Sequence, residues 1–161
     1  MADNTDIPTL RRILHDNRRI AVVGISAEWH RPSYFVGKYL LEHGYTMIPV
    51  NPRYREVLGR PCYPDLEAAR TAGPIDMVDC FRKGDDIGPI ADQAIAIGAK
   101  TLWMQLGVVN QAAAIKASAA GLEVVMDRCV KIEHGRLFGG LAWAGVNTRV
   151  ISARRPRQLP Y

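Results

Sequence analysis

Five short apolar runs limit what this chain can fold into. They are "RIAVVGI" (19–25), "YTMIPV" (45–50), "IDMVDCF" (75–81), "KTLWMQ" (100–105) and "LEVVMD" (122–127). Each has the length of a strand, and the first is rich in β-branched residues. Runs that are continuously apolar, rather than alternating, fit strands buried on both faces. Between them lie segments of helical character: a stretch from Ser33 to about His43, a helical turn preceded by a short extended piece within "GRPCYPDLEAARTAG", then "DDIGPIADQAIAIG" and the Ala-rich "NQAAAIKASAAG". Gly44, Gly73, Gly98 and Gly121 stand near the returns. Strand and helix alternating in this way indicate a single α/β domain built on a doubly wound parallel sheet of about five strands. Its crossovers are expected to be right-handed. A chain of 161 residues is long enough for one such domain with a full core.

Local signals refine the elements. Thr5 or Asp6 can cap a first helix, with Pro8 in its first turn and Leu10, Ile13 and Leu14 on one face. Ser33 is expected to cap the second, with Phe35, Val36, Tyr39 and Leu40 as its packing face. Pro49 removes a ladder donor, so it must lie where none is needed. Beyond "CVKIEHGRL" the chain becomes Gly-rich and aperiodic. The expected division is a sheet domain over 1–137 and a partly irregular, basic extension over 138–161. Such an extension could wrap the domain or meet a neighbouring subunit.

Charge argues against a nucleic-acid face. Four of the five net positive charges are accounted for by Arg149, Arg154, Arg155 and Arg157, in an extension with no acid. A solvated tail explains them. No apolar segment is long enough to span a bilayer, and "MADNTDIPTLRRIL" has no signal core, so a cytoplasmic protein is expected. Cys62, Cys80 and Cys129 are far apart in sequence, and the four histidines show no ligand spacing. No metal site is expected.

In open α/β sheets a ligand binds beyond the carboxyl ends of the strands, where the chain switches direction. Those ends carry Gly24, Ile25 and Ser26 with the loop to Ser33, then Asn51, Pro52 and Arg53, then Phe81 and Arg82, then Gln105, Leu106 and Gly107, and last Asp127, Arg128 and Cys129. The first loop lacks the G-x-G-x-x-G that lets a pyrophosphate lie on the backbone. It offers instead the hydroxyls of Ser26 and Ser33, the cation of Arg31 and a helix N-terminus, all suited to phosphate. Trp29, His30 and Pro32 could cover a ligand from one side. An ordinary capped loop also explains this stretch.

The second strand end discriminates better. An NAD site places an acid there for the ribose hydroxyls. Here stand Asn51, Pro52 and Arg53, with Arg55 close by, and a cation favours a phosphate on the ribose. NADP and coenzyme A both fit, and so does a plain surface turn, since Asn-Pro favours turns.

"VVGIS…RPSYFVGKYL", "YTMIPVNP", "VDCFR", "LWMQLGV" and "AGLEVVMDRC", taken in order over roughly residues 10–137, closely resemble the small stand-alone coenzyme A-binding proteins. These are similar to the N-terminal domain of the succinyl-CoA synthetase α subunit. The resemblance implies a Rossmann-like domain with coenzyme A lying across the strand ends. Gly24, Ser26, Arg31, Pro32 and Ser33, with Ile25 beside them, would face its diphosphate. Asn51, Pro52 and Arg53 would lie by the adenosine end, Phe81 and Arg82 would wall the ligand, and Gln105, Leu106 and Gly107 would approach the pantetheine arm. Arg53 stands where the larger synthetase subunits tend to carry Lys. The synthetase's phosphorylated histidine belongs to a further domain, so its chemistry is not implied.

No catalytic set is evident. His30 near Ser33 is the one sequence-local base for a serine, and a loop histidine is more often a polar surface group. Asp79 and Asp127 are better suited to capping loops than to acid–base work. The expected function is binding of coenzyme A or an acyl-CoA. The alternative is an NADP-dependent oxidoreductase, which would need a substrate surface that this chain does not offer. A homo-oligomer and a partnership with an acyl-CoA enzyme are both compatible with the sequence. Cys80 and Cys129, flanking strand ends, raise the question of a mixed disulfide with the ligand's thiol.

Overall fold

The structure, a computed structural model, describes residues 4–139. The five apolar runs form five strands: β1 (Arg19–Val23), β2 (Thr46–Val50), β5 (Met77–Cys80), β6 (Thr101–Met104) and β7 (Glu123–Val125). They make one sheet in the order β2-β1-β5-β6-β7, and every pairing in it is parallel. Two further strands, β3 (Glu56–Val57) and β4 (Arg60–Pro61), form a small antiparallel hairpin. Past it, Tyr63 makes a single parallel bridge with Val50 on the outer side of β2. With that bridge counted, the strand sequence is the 3-2-1-4-5-6 of a Rossmann sheet whose third strand has shrunk to one residue. The fold is the expected doubly wound α/β domain.

The bridge also explains how β2 tolerates Pro49. Its carbonyl accepts the Tyr63 N–H at 3.0 Å, so residue 49 faces away from β1 and the missing donor is not needed.

Helices cover both faces. On one side lie α1 (Ile7–Asp16), α2 (Pro32–Glu42) and α6 (Val130–Phe138), over Ile20, Val22, Met77, Trp103 and Val125. On the other lie α3 (Leu66–Arg70), α4 (Ile87–Ala96) and α5 (Gln111–Ala119), over Ala21, Val23, Val78, Cys80, Leu102 and Met104. Alternate residues of each strand therefore feed opposite cores, and β5 and β6 are buried at every position.

Three expectations need adjustment. Ser33 does not cap α2. Pro32, with its backbone preset for a helix, starts the helix two residues earlier than a Ser33 cap would, and Arg31 occupies the cap without a side-chain bond. Phe35 is 45% exposed and not part of the packing face. That face is Ser33, Val36, Gly37 and Leu40, and a methyl at Gly37 would lie 2.7 Å from the Ile25 side chain, so glycine lets α2 approach β1. The third adjustment is α6, absent from the sequence reading, which packs on α1 and α2. Its buried Val130, Glu133 and Leu137 have helical spacing, but Gly135 and the charges between them obscure the stripe.

The basic extension lies, from residue 140 on, outside the described residues. Among those described, no helix is long and apolar enough to cross a membrane.

Candidate functional site

The chain runs from β1 to β2 on one side and returns to β5 on the other, so the switch point falls between β1 and β5. At that crevice the backbone is locked by Gly24. Its N–H donates to the Val50 carbonyl at 2.8 Å, and the Phe81 N–H donates to Val23 at 2.8 Å. The three strand ends β2, β1 and β5 are thereby tied side by side. Gly24 has a φ of +86°, and a Cβ there would sit 2.4 Å from the Phe81 carbonyl oxygen and 2.8 Å from Arg82 Cδ. Only glycine fits a positive φ at so close an approach.

The loop beyond Gly24 is organised by side chains. Ile25 is fully buried. The Ser26 N–H donates to Ser33 Oγ at 2.9 Å, and the Glu28 N–H donates to Ser26 Oγ at 3.0 Å. Ser33 is buried, so its hydroxyl serves the loop. Arg31 and Pro32 are exposed at the start of α2. The Arg31 Nε donates to Glu28 Oε2 at 3.0 Å, and His30 Nε2 lies 3.7 Å from the same oxygen. The hydrogen bond from Arg31 holds the Glu28 carboxyl below its ordinary range, and the charges of Arg31, His30 and Arg53 act in the same direction. Arg31 and His30, both of this loop, thus lie by one carboxylate. The sequence marks Arg31 but not the acid that it bonds.

At the end of β2, Asn51 is buried and both ends of its amide are used: Nδ2 donates to the Ile25 carbonyl at 2.9 Å, and Oδ1 accepts the Arg53 N–H at 3.0 Å. Asn51 therefore ties the first loop to the second. Pro52 and Arg53 are exposed, and the Arg53 side chain has no ion-pair partner within the described residues.

The other side of the crevice is less polar. Phe81 packs partly into the core on the α2 side, with Arg82 exposed beyond it. Gln105 is buried, and its Nε2 donates to Asp79 Oδ1 at 2.5 Å. Asp79 is fully buried, and its second oxygen has no partner. Burial pushes its carboxyl up to about 7, against the pull of the Gln105 hydrogen bond. Leu106 is 55% exposed and Gly107 is exposed. The Gly107 N–H is fixed by Asp127 Oδ1 at 2.7 Å, so Asp127 caps a loop. Asp79 instead bonds a side-chain amide. Nothing in the sequence marks the Asp79–Gln105 pair beyond an acid in an apolar run.

Burial pushes the thiols up. Cys80 is inaccessible, and the charge of Asp79 adds to the effect; at Cys129 the N–H groups of Ile132 and Lys131 only partly offset it. Neither sulfur has the cation-rich surroundings of a reactive thiolate. Among the described residues no group of three or more His, Cys, Asp and Glu could hold a metal.

A parallel sheet with glycine at the switch point and exposed cations at its rim has the architecture of the nucleotide-binding α/β domains. The family model described as a CoA binding domain matches residues 18–135, and the chain belongs to that family. It is 37% identical over 125 residues to the uncharacterized protein YneT of Bacillus subtilis (strain 168), covering 78% of this chain and 91% of that one. The solved structure of a hypothetical protein from Pyrococcus horikoshii OT3 is 44% identical and superposes with a TM-score of 0.81, over 85% of this chain and 95% of that one. A stretch of 47 residues is 40% identical to part of the ADP-forming acetate–CoA ligase I of Archaeoglobus fulgidus, 29% of this chain and 7% of that enzyme.

Proposed function

We propose that this domain binds coenzyme A or an acyl-CoA across the carboxyl ends of β1, β2, β5 and β6 and carries out no chemistry of its own. The observation that carries this reading is the placing of exposed Arg31 and Arg53, on the loops after β1 and β2, beside the switch point in a chain of the CoA-binding family. On this reading the diphosphate lies by the Ser26–Ser33 loop, with Gly24 and Ile25 beneath it. Arg53 takes the ribose 3′-phosphate, Phe81 and Arg82 wall the ligand, and Leu106 and Gly107 border the pantetheine. Asn51, Ser33 and Gln105 serve by holding the loops, since their side chains are already engaged. The likeness to the succinyl-CoA synthetase α subunit belongs to the same reading, as does an acyl-CoA enzyme as partner. The nicotinamide alternative draws no support from the family match.

Calorimetry with CoA, dephospho-CoA, NADH and NADPH tests it. CoA should bind best. Arg53→Ala should weaken CoA about three- to tenfold, the modest effect of an exposed charge, and leave dephospho-CoA nearly unchanged. Preferential binding of NADPH would refute the reading. An equal loss for both CoA forms would remove Arg53 from the phosphate.

A further inference from the structure

We infer that Glu28 is a resident stand-in for a ligand phosphate, an acid that closes the empty cradle and must be displaced when a diphosphate enters. The inference rests on the proposed binding mode for where the phosphates go, and on this loop for the rest. The Glu28 carboxylate takes the Arg31 Nε at 3.0 Å and lies 3.7 Å from His30 Nε2. Arg53, from the end of β2, makes no ion pair with it among the described residues. The loop is satisfied by its own groups. Ser33 Oγ is taken by the Ser26 N–H, Ser26 Oγ by the Glu28 N–H, and the Glu28 carbonyl by the Arg31 N–H at 3.0 Å. The N–H groups of Ser26, Glu28 and Arg31 and the Arg31 Nε thus already face oxygens of the loop itself, and the two serine hydroxyls keep their own O–H to donate.

This arrangement is exchangeable. The Glu28 and Arg31 side chains are 53% and 59% exposed, so water and salt weaken their pairing. A phosphate oxygen accepts from a guanidinium in the same geometry as a carboxylate, and a diphosphate brings more charge than one carboxylate does. The incoming ligand therefore wins the cations, and Glu28 swings out to solvent. The acid lowers affinity in exchange for a loop that stays ordered when empty.

The test compares Glu28→Gln and Glu28→Ala with the full wild-type chain, by calorimetry with CoA, inorganic pyrophosphate and pantetheine. Both variants should bind CoA and pyrophosphate about two- to fivefold more tightly, as expected for relief from one exposed ion pair. Pantetheine, which has no diphosphate, should be unaffected. Adding Arg31→Ala to Glu28→Gln should abolish the gain, because Glu28 acts by occupying Arg31. Unchanged or weaker pyrophosphate binding in both variants would overturn the inference, as would an equal gain for pantetheine. If wild type binds no CoA, the proposed function falls, and the pyrophosphate arm still decides the role of Glu28.

Discussion

Replacing Asp79 with asparagine should stabilise the fold, and more so as the pH rises. By register Asp79 stands between Val22 of β1 and Trp103 of β6, fully buried. One carboxyl oxygen accepts from Gln105 and the other has no partner. The folded protein therefore holds the acid in its neutral form far more readily than the unfolded chain does. Because the folded value is raised, the stability it contributes is fully present below the ordinary value and is lost as the pH climbs through the folded one. Going from 3.8 to about 7 at ~1.4 kcal/mol per pH unit puts the full loss at about 4 kcal/mol, of which roughly 2.5 kcal/mol falls between pH 5 and pH 8. Asparagine copies the neutral acid: its oxygen can accept from Gln105, and its amide replaces the acid's hydroxyl. Urea unfolding of both proteins at pH 5, 6.5 and 8 should show the gap between them widening by about 2.5 kcal/mol, on the order of a 1 M shift in midpoint. Other titrating groups, His134 among them, act on both proteins and cancel in the difference. A gap that stays constant from pH 5 to pH 8 would refute the argument, because it would mean Asp79 is ionised, or neutral, throughout.

Three further outcomes follow from the same geometry. Gly24→Ala should destabilise the fold by about 1–3 kcal/mol and lower the thermal midpoint, since the new methyl meets the Phe81 carbonyl at 2.4 Å and φ is +86°; an unchanged midpoint would mean that the strand ends move apart freely. Burial lowers His134 from 6.5 to about 4, where the Tyr39 hydroxyl meets its Nδ1 at 2.7 Å. A lowered histidine keeps its contribution above its ordinary value and loses it as the pH falls from 6.5 towards 4, so wild type should lose stability over that window and His134→Gln should lose less, as read by thermal melts at pH 4.5 and 7. Incubation of the folded protein with oxidised CoA at pH 7 should leave Cys80 unmodified and Cys129 modified slowly at most, because burial suppresses both thiolates; a rapid adduct on either, seen by mass spectrometry, would contradict this.

The fold was legible because its strands are buried on both faces. That condition writes itself into sequence as unbroken apolar runs, and the five runs are the five strands of the sheet. Asp6, with Pro8 behind it, marked the start of α1 correctly, since its side chain accepts the Thr9 N–H. Two elements were obscured for different reasons. The hairpin β3–β4 and the Tyr63 bridge are too short to leave a period. In α6 a buried acid, Glu133, stands at a core position and is paired to Arg136, so the apolar stripe is broken where the helix packs best. The positions of the site residues followed from strand ends, but the employment of their side chains did not. Asn51, Ser33 and Gln105 read as ligand contacts, and in the fold each side chain also bonds a neighbouring loop or strand. Polar type and position are visible in a sequence; the partner that uses up a polar group depends on tertiary distance.

The glycines missing from the first loop and the acid within it have one physical explanation. In a glycine-rich loop the backbone itself approaches the diphosphate, and the empty loop is held by its turn geometry. Here a single glycine, Gly24, is required, where β1 passes beneath Phe81. The rest of the loop carries side chains, so its empty shape has to be fixed by side chains as well. Ser33, Ser26 and Glu28 do this in sequence, each accepting from the loop's own N–H groups or from Arg31. A loop built this way offers hydroxyls and a guanidinium to a ligand, and the guanidinium takes an oxygen when no ligand is present. A carboxylate two residues past Ser26 supplies one. Removing Glu28 should therefore loosen the loop as well as strengthen binding, and hydrogen exchange at residues 27–31 should quicken in Glu28→Ala without ligand and slow again on adding pyrophosphate. Unchanged exchange in the empty variant would mean that the serine bonds alone hold the loop, leaving Glu28 with no part in ordering it.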